Sequence, residues 1–143
     1  MKMKIKNFLS LLILLLMVSC GPSKTTLYSD NICLYFGSEH VADADITTRI
    51  EIKDSIITFT NLTTDSVSIV KRSTLDTVLD VGDGDSIYRW NATLQNEPIS
   101  FAILKDSTKN ITSVGLVREE SGLVFIIVPK EKVLPNKKSK NVN

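Results

Sequence analysis

From residue 31 onward the chain is written in short alternating runs. Ile50 and Ile52 alternate with Arg49, Glu51 and Lys53; Val67 and Ile69 alternate with Ser66 and Ser68; Ile99, Phe101 and Ile103 share one face of a further run. A period of two puts successive side chains on opposite sides of a strand, so these runs describe sheets with one dry face. Residues 123–128 are instead continuously apolar, the pattern of a strand covered on both faces. Runs bounded by Asp, Ser, Asn and Gly predict about eight strands. They fall near 31–36, 48–53, 56–61, 66–72, 76–81, 86–94, 98–104, 111–118 and 122–128, with one of these segments irregular. The one predicted helix covers residues 38–45, with Ser38 as its cap.

The turns have a rhythm. Asp54-Ser55-Ile56, Asp65-Ser66-Val67 and Asp76-Thr77-Val78 recur every 11 residues, and Asp85-Ser86-Ile87 follows after 9. That period is too short for a solenoid. It suits a meander in which Asp and Ser or Thr close a turn through bonds to nearby backbone amides and the next residue opens a strand. Residues 106–110 and 119–122 read as further hairpin loops. The fold class is therefore all-β, a small antiparallel meander. Such a meander must hide its edges, by closing into a barrel or by packing as two sheets. An up-and-down barrel is the first expectation and a β-sandwich the alternative. The barrel would resemble lipocalins in architecture alone. The Gly-x-Trp signature common near the start of lipocalins is missing, and the single tryptophan, Trp90, falls mid-chain.

The first 20 residues follow a different pattern. Lys2, Lys4 and Lys6 precede an apolar run from Phe8 to Val18, interrupted by Ser10. The run is well short of the ~20 residues a spanning helix needs. A charged start, a short apolar middle and small residues after it form a secretory signal. Met17-Val18-Ser19-Cys20 resembles the lipobox of bacterial lipoprotein precursors, with Met17 in place of the usual Leu. The resemblance implies cleavage before Cys20, a diacylglycerol on its thiol and a further acyl chain, commonly palmitate, on its new amino group. Two or more chains anchor stably where one does not. Gly21 is not the aspartate that commonly retains lipoproteins on the inner membrane, so the resemblance implies the outer membrane, facing the periplasm. The expected organisation is a signal peptide at 1–19, a lipidated tether at 20–30, one β domain at 31–134 and a disordered basic tail at 135–143.

Charge and cysteine content narrow the function classes. The precursor carries 17 basic and 16 acidic residues; without the three leading lysines the balance is about −2. That offers no basic face for nucleic acid. Once Cys20 is used only Cys33 remains, so no intrachain disulfide is possible. In its apolar run, Cys33 reads as a small buried hydrophobe with no cationic neighbour in sequence to activate it.

The catalytic inventory is thin. His40 is the only histidine and reads as structural or exposed; with Cys33 alone it does not complete a zinc ligand set. Glu119 and Glu120 precede Ser121-Gly122 and read as hairpin-turn residues. Neither an enzyme activity nor a cofactor is expected. Asp80, Asp83 and Asp85 offer hard oxygens for calcium, but miss the EF-hand spacing, and Asp-Gly steps between strands are hairpin turns. The Asp-Ser/Thr triplets also resemble the O-glycosylation sequon of Bacteroides-type bacteria, which implies Ser55, Ser66, Thr77, Ser86 and Ser107 as acceptors. Tyr88, Trp90, Phe101 and Phe125 either fill a barrel core or line a pocket. The function expected is non-enzymatic binding of a small apolar ligand by an envelope lipoprotein held by Cys20. The alternative is a protein-interaction module, an inhibitor or assembly subunit, acting through loops or a strand edge on another envelope protein.

Overall fold

The computed structural model describes residues 23–134, which form nine antiparallel strands. These are β1 (Lys24–Phe36), β2 (Glu39–Ala44), β3 (Thr48–Lys53), β4 (Ile56–Asn61), β5 (Val67–Gly82), β6 (Asp85–Leu94), β7 (Glu97–Lys105), β8 (Ile111–Arg118) and β9 (Ser121–Val128), followed by a one-turn helix, α1 (Lys130–Val133). Sheet order is β2-β1-β3-β4-β5-β6-β7-β8-β9, and β9 also pairs with β1. Eight strands thus close an up-and-down barrel, and β2 is an extra strand paired to β1. The barrel expectation holds and the sandwich does not. The leader, Cys20 and the tail at 135–143 lie outside the described residues.

Register explains the closure. From Lys24 the pairings run through Lys53, Ile56, Lys71, Thr93 and Pro98; two residues further along β7 they run from Ser100 through Val117 and Gly122 back to β1 at Tyr35. The path returns well up the strand from its start, the stagger that tilted strands need to close. The inward face is filled by Ile32, Ile50, Ile52, Ile57, Phe59, Val70, Ala92, Ile99, Phe101, Ile103, Val114 and Phe125. The Phe59 and Phe125 rings meet across the interior at 4.9 Å, and those of Trp90 and Phe101, paired on adjacent strands, lie 5.6 Å apart.

Two-residue loops join β3 to β4, β5 to β6, β6 to β7 and β8 to β9. Asp83-Gly84 and Gln95-Asn96 have positive φ at both positions (56°, 80° and 52°, 63°), the twist that a tight hairpin requires. Asp54 and Glu119 open their turns at φ 56° and 55°. Glu119-Glu120 is thus a hairpin turn.

The strands differ from the sequence reading in four places. Residues 24–30, expected as tether, are barrel wall: Lys24 to Ser29 pair with Lys53 to Thr48. Residues 38–45, expected as a helix, include β2, a strand held by β1. The two strands expected at 66–72 and 76–81 are one, β5, which takes irregularities at Arg72/Leu75 and Leu75/Thr77 without ending. Asp76-Thr77 is therefore mid-strand, not a turn. Within β5 it is Val70, opposite Ile57, that is fully buried, while Val67 and Ile69 are exposed. Residues 123–128 have one dry face, not two: Phe125 is buried and Ile126 exposed, because a barrel wall meets solvent outside.

Candidate functional site

The barrel's two ends are built differently. One carries the chain's entry at Lys24 and the β3/β4, β5/β6 and β7/β8 turns; the other carries the β1/β2, β4/β5, β6/β7 and β8/β9 turns. Toward the entry end, the Arg72 guanidinium lies 4.8 Å over the Trp90 ring, and Lys105 lies 4.9 Å over Tyr88. These contacts join cations to aromatic faces.

The far end is open. A cavity of about 460 Å³ lies there, walled by Leu34 and Phe36 of β1, Leu94 of β6, Ile99 of β7, Leu116 of β8 and Leu123 of β9, with Val41 of β2 beside it. Register puts these side chains together: Leu34 pairs with Leu123 and Leu123 with Leu116, so all three point one way. Arg118 and Ser121 complete the wall. Arg118 forms an ion pair with Glu97 across from it, so the one cation that lines the cavity among the described residues is already matched. A volume of this size is within the range of small-molecule sites, and a wall this apolar selects hydrocarbon.

The four aromatics singled out in the sequence do not line this cavity. Phe101 and Phe125 are buried in the core. On β6, Trp90 pairs directly with Phe101, and Tyr88 lies two residues nearer the entry end. The cavity instead uses aliphatic residues from six strands together with Tyr35 and Phe36 of β1, and no local pattern marks them.

Asp80, Asp83 and Asp85 sit in and beside the β5/β6 turn, where the Asp80 carboxylate accepts a bond from the Gly82 amide at 3.0 Å. They do not gather as a ligand set. Ser55, Ser66 and Ser107 are exposed in loops, whereas Thr77 and Ser86 lie within strands and are half-buried. Asp106 organises the β7/β8 loop, accepting from the Thr108 amide and hydroxyl and from the Asn110 amide at 2.9, 2.5 and 3.0 Å. The Thr108 hydroxyl, followed by the Asn110 amide, holds the Asp106 carboxyl below its ordinary value.

Sequence reasoning missed a second cluster. Cys33 is half-buried, in contrast to the buried hydrophobe expected. It pairs across strands with Asp43, while Tyr35 pairs with His40. His40 Nε2 lies 2.6 Å from Asp43 Oδ1, and the imidazole packs 5.4 Å from the Tyr35 ring. Burial, followed by the Asp43 carboxylate, pushes the Cys33 thiol up; the bond from His40 holds Asp43 down. No family model, curated protein or solved structure matches the chain, so its own geometry carries the functional argument.

Proposed function

We propose that the protein is a lipid-anchored envelope lipoprotein whose barrel binds a small apolar ligand at its open end. The observation that carries this reading is the aliphatic cavity opposite the chain's entry point. A chain acylated at Cys20 enters the barrel four residues later, at Lys24. The acylated end would lie against the membrane, and the mouth would face away from it. The ligand would be a molecule with an acyl or similar hydrocarbon portion, taken up for the hydrophobic gain of ~0.8 kcal/mol per buried CH₂. Binding needs no catalytic group, in keeping with the thin inventory of nucleophiles and bases.

The test uses residues 21–143 and the uncharged fluorophore N-phenyl-1-naphthylamine, with dodecanoic acid as competitor. Saturable enhancement at one site, reversed by the acid, is the expected result. No enhancement at high micromolar probe sinks ligand binding. For the anchor, intact mass of the protein from its own membranes should equal the chain cut before Cys20 plus acyl groups. An unmodified full-length mass would refute it. Hexose-sized additions on the same spectrum would support glycosylation at Ser55, Ser66, Thr77, Ser86 or Ser107; their absence leaves those residues to turn and strand.

One observation favours the interaction-module alternative. β4 pairs with β5 over Val67–Lys71, so the farther half of β5 has β6 on one side and, among the described residues, no strand on the other. Leu75, Val78, Leu79 and Val81 are exposed there. An unpaired strand edge is a template for a partner's strand. A Leu79→Lys change that dissolves a native-gel complex from host membranes, with probe binding absent in the parent protein, would favour this alternative.

A further inference from the structure

The β1/β2 hairpin carries a feature unrelated to the mouth cavity. In a regular strand, residues an odd number apart point to opposite faces, so His40 and Asp43 of β2 should diverge. They do not. The β1/β2 register shifts between Leu34/Tyr35: Leu34 pairs with Ala42 and Tyr35 with His40, so Val41 is left over. This bulge turns His40 onto the face that Asp43 shares with Cys33. Bulges are known devices for re-aiming a side chain near a site. As a result, Cys33 Sγ, a His40 ring nitrogen and an Asp43 carboxylate oxygen all lie within 4.8 Å of one another, the one such trio among the described residues.

We propose that Cys33, His40 and Asp43 form a Zn²⁺ site on the outer face of the β1/β2 hairpin. The donor set is thiolate, imidazole and carboxylate, the mixture that a borderline-soft, tetrahedral ion accepts, and it leaves the fourth position to water or another ligand. The fit can be checked against bond lengths. Zn–N and Zn–O bonds near ~2.1 Å at a tetrahedral angle separate the two atoms by about 3.4 Å. His40 Nε2 and Asp43 Oδ1 stand 2.6 Å apart and must open by less than one ångström, which two exposed side chains can do by rotation. Surrounding groups already constrain the ligands. The Tyr35 ring lies against the imidazole, and the Asn31 amide oxygen is 3.7 Å from Cys33 Sγ. Such outer contacts orient ligands and tune affinity.

The ion would act as a clip. β2 is an edge strand held by β1 alone. Two ligands come from β2 and one from β1, so zinc would join them across the hairpin and hold Val41 beside the cavity.

The full chain, purified in mild detergent with its Cys20 in place, is titrated with Co²⁺ as a spectroscopic probe and then with Zn²⁺. One equivalent of Co²⁺ should give a thiolate-to-metal charge-transfer band that Zn²⁺ abolishes. Cys33→Ser, His40→Gln and Asp43→Asn should each weaken binding by ~100-fold or more, beyond what loss of an outer contact causes. Cys20→Ser should leave it unchanged. Removing Val41 straightens the bulge but leaves His40 two residues from Asp43, still paired with Tyr35 and on the same face, so the band should persist while far-ultraviolet circular dichroism stays that of a barrel. Zinc should also slow amide exchange across β2. Absence of the band in the parent chain, its survival in His40→Gln, or its loss in Cys20→Ser would overturn the proposal.

Discussion

Leu34→Asp tests the mouth cavity by separating binding from folding. Leu34 is 36% exposed on the inner side of β1 and forms part of the cavity wall. Full burial of a leucine contributes 1.5–3 kcal/mol, so loss of this partly exposed side chain should destabilise by about 1–2 kcal/mol. The new carboxylate remains hydrated while the mouth is empty. A bound hydrocarbon would strip that water, and stripping an ion costs several kcal/mol. Because the side chain can lean outward at the rim, about 2–3 kcal/mol of that cost should persist, or a ~30- to 150-fold weaker Kd. Leu79→Asp is the control: Leu79 is 48% exposed on β5 and outside the cavity wall, so its stability loss should be similar or smaller. Urea melts measure folding, and N-phenyl-1-naphthylamine titration measures binding. Equal affinity for both variants, or a loss confined to Leu79→Asp, would refute the placement of the ligand.

Three further outcomes follow from the same geometry. Gly84 has φ +80° and an added Cβ would stand 2.7 Å from the Ser107 Cβ, whereas Gly82, at φ +93°, has open space; Gly84→Ala should therefore lower stability by more than the ~1–2 kcal/mol of backbone strain expected for Gly82→Ala, as read by urea unfolding. Phe101→Ala removes a fully buried ring that meets Trp90 and should cost ~3–5 kcal/mol in the same assay, with a blunted tryptophan fluorescence transition. The lowered Asp106 pKa means that its contribution is present above the ordinary carboxylate value of ~3.9 and is lost as pH falls through its folded value; Asp106→Asn should flatten that part of the acid melting profile, and a carboxyl titration by NMR should find Asp106 below ordinary aspartates.

The parts of this fold that were legible in the sequence are those where one strand states its own face. Ile50 and Ile52, and Ile99, Phe101 and Ile103, are buried as their alternation implies. Elsewhere tertiary pairing overrode the local signal. Glu39–Ala44 carries alanines that suit a helix, yet pairing with β1 makes it a strand. Lys24–Asp30 looks like polar linker, but Leu27 packs against the core and Ser29 is fully buried at the β1 bulge. In β5 the facing Ile57 selects Val70 over its apolar neighbours. Neither site was legible, for the same reason. The cavity takes single aliphatic residues from strands up to 89 positions apart, Leu34 to Leu123. The Cys33–His40–Asp43 trio depends on Val41 bulging out of the β1/β2 pairing, which no residue type announces.

The most direct measurement is a methyl-resolved NMR titration of residues 21–143 with dodecanoic acid. The account expects saturable shifts at Leu34, Leu94, Ile99, Leu116 and Leu123, with Leu75 and Leu79 unchanged. Unmoved mouth methyls at saturating acid, or shifts confined to β5, would contradict a barrel that takes its ligand at the end away from the chain's entry at Lys24.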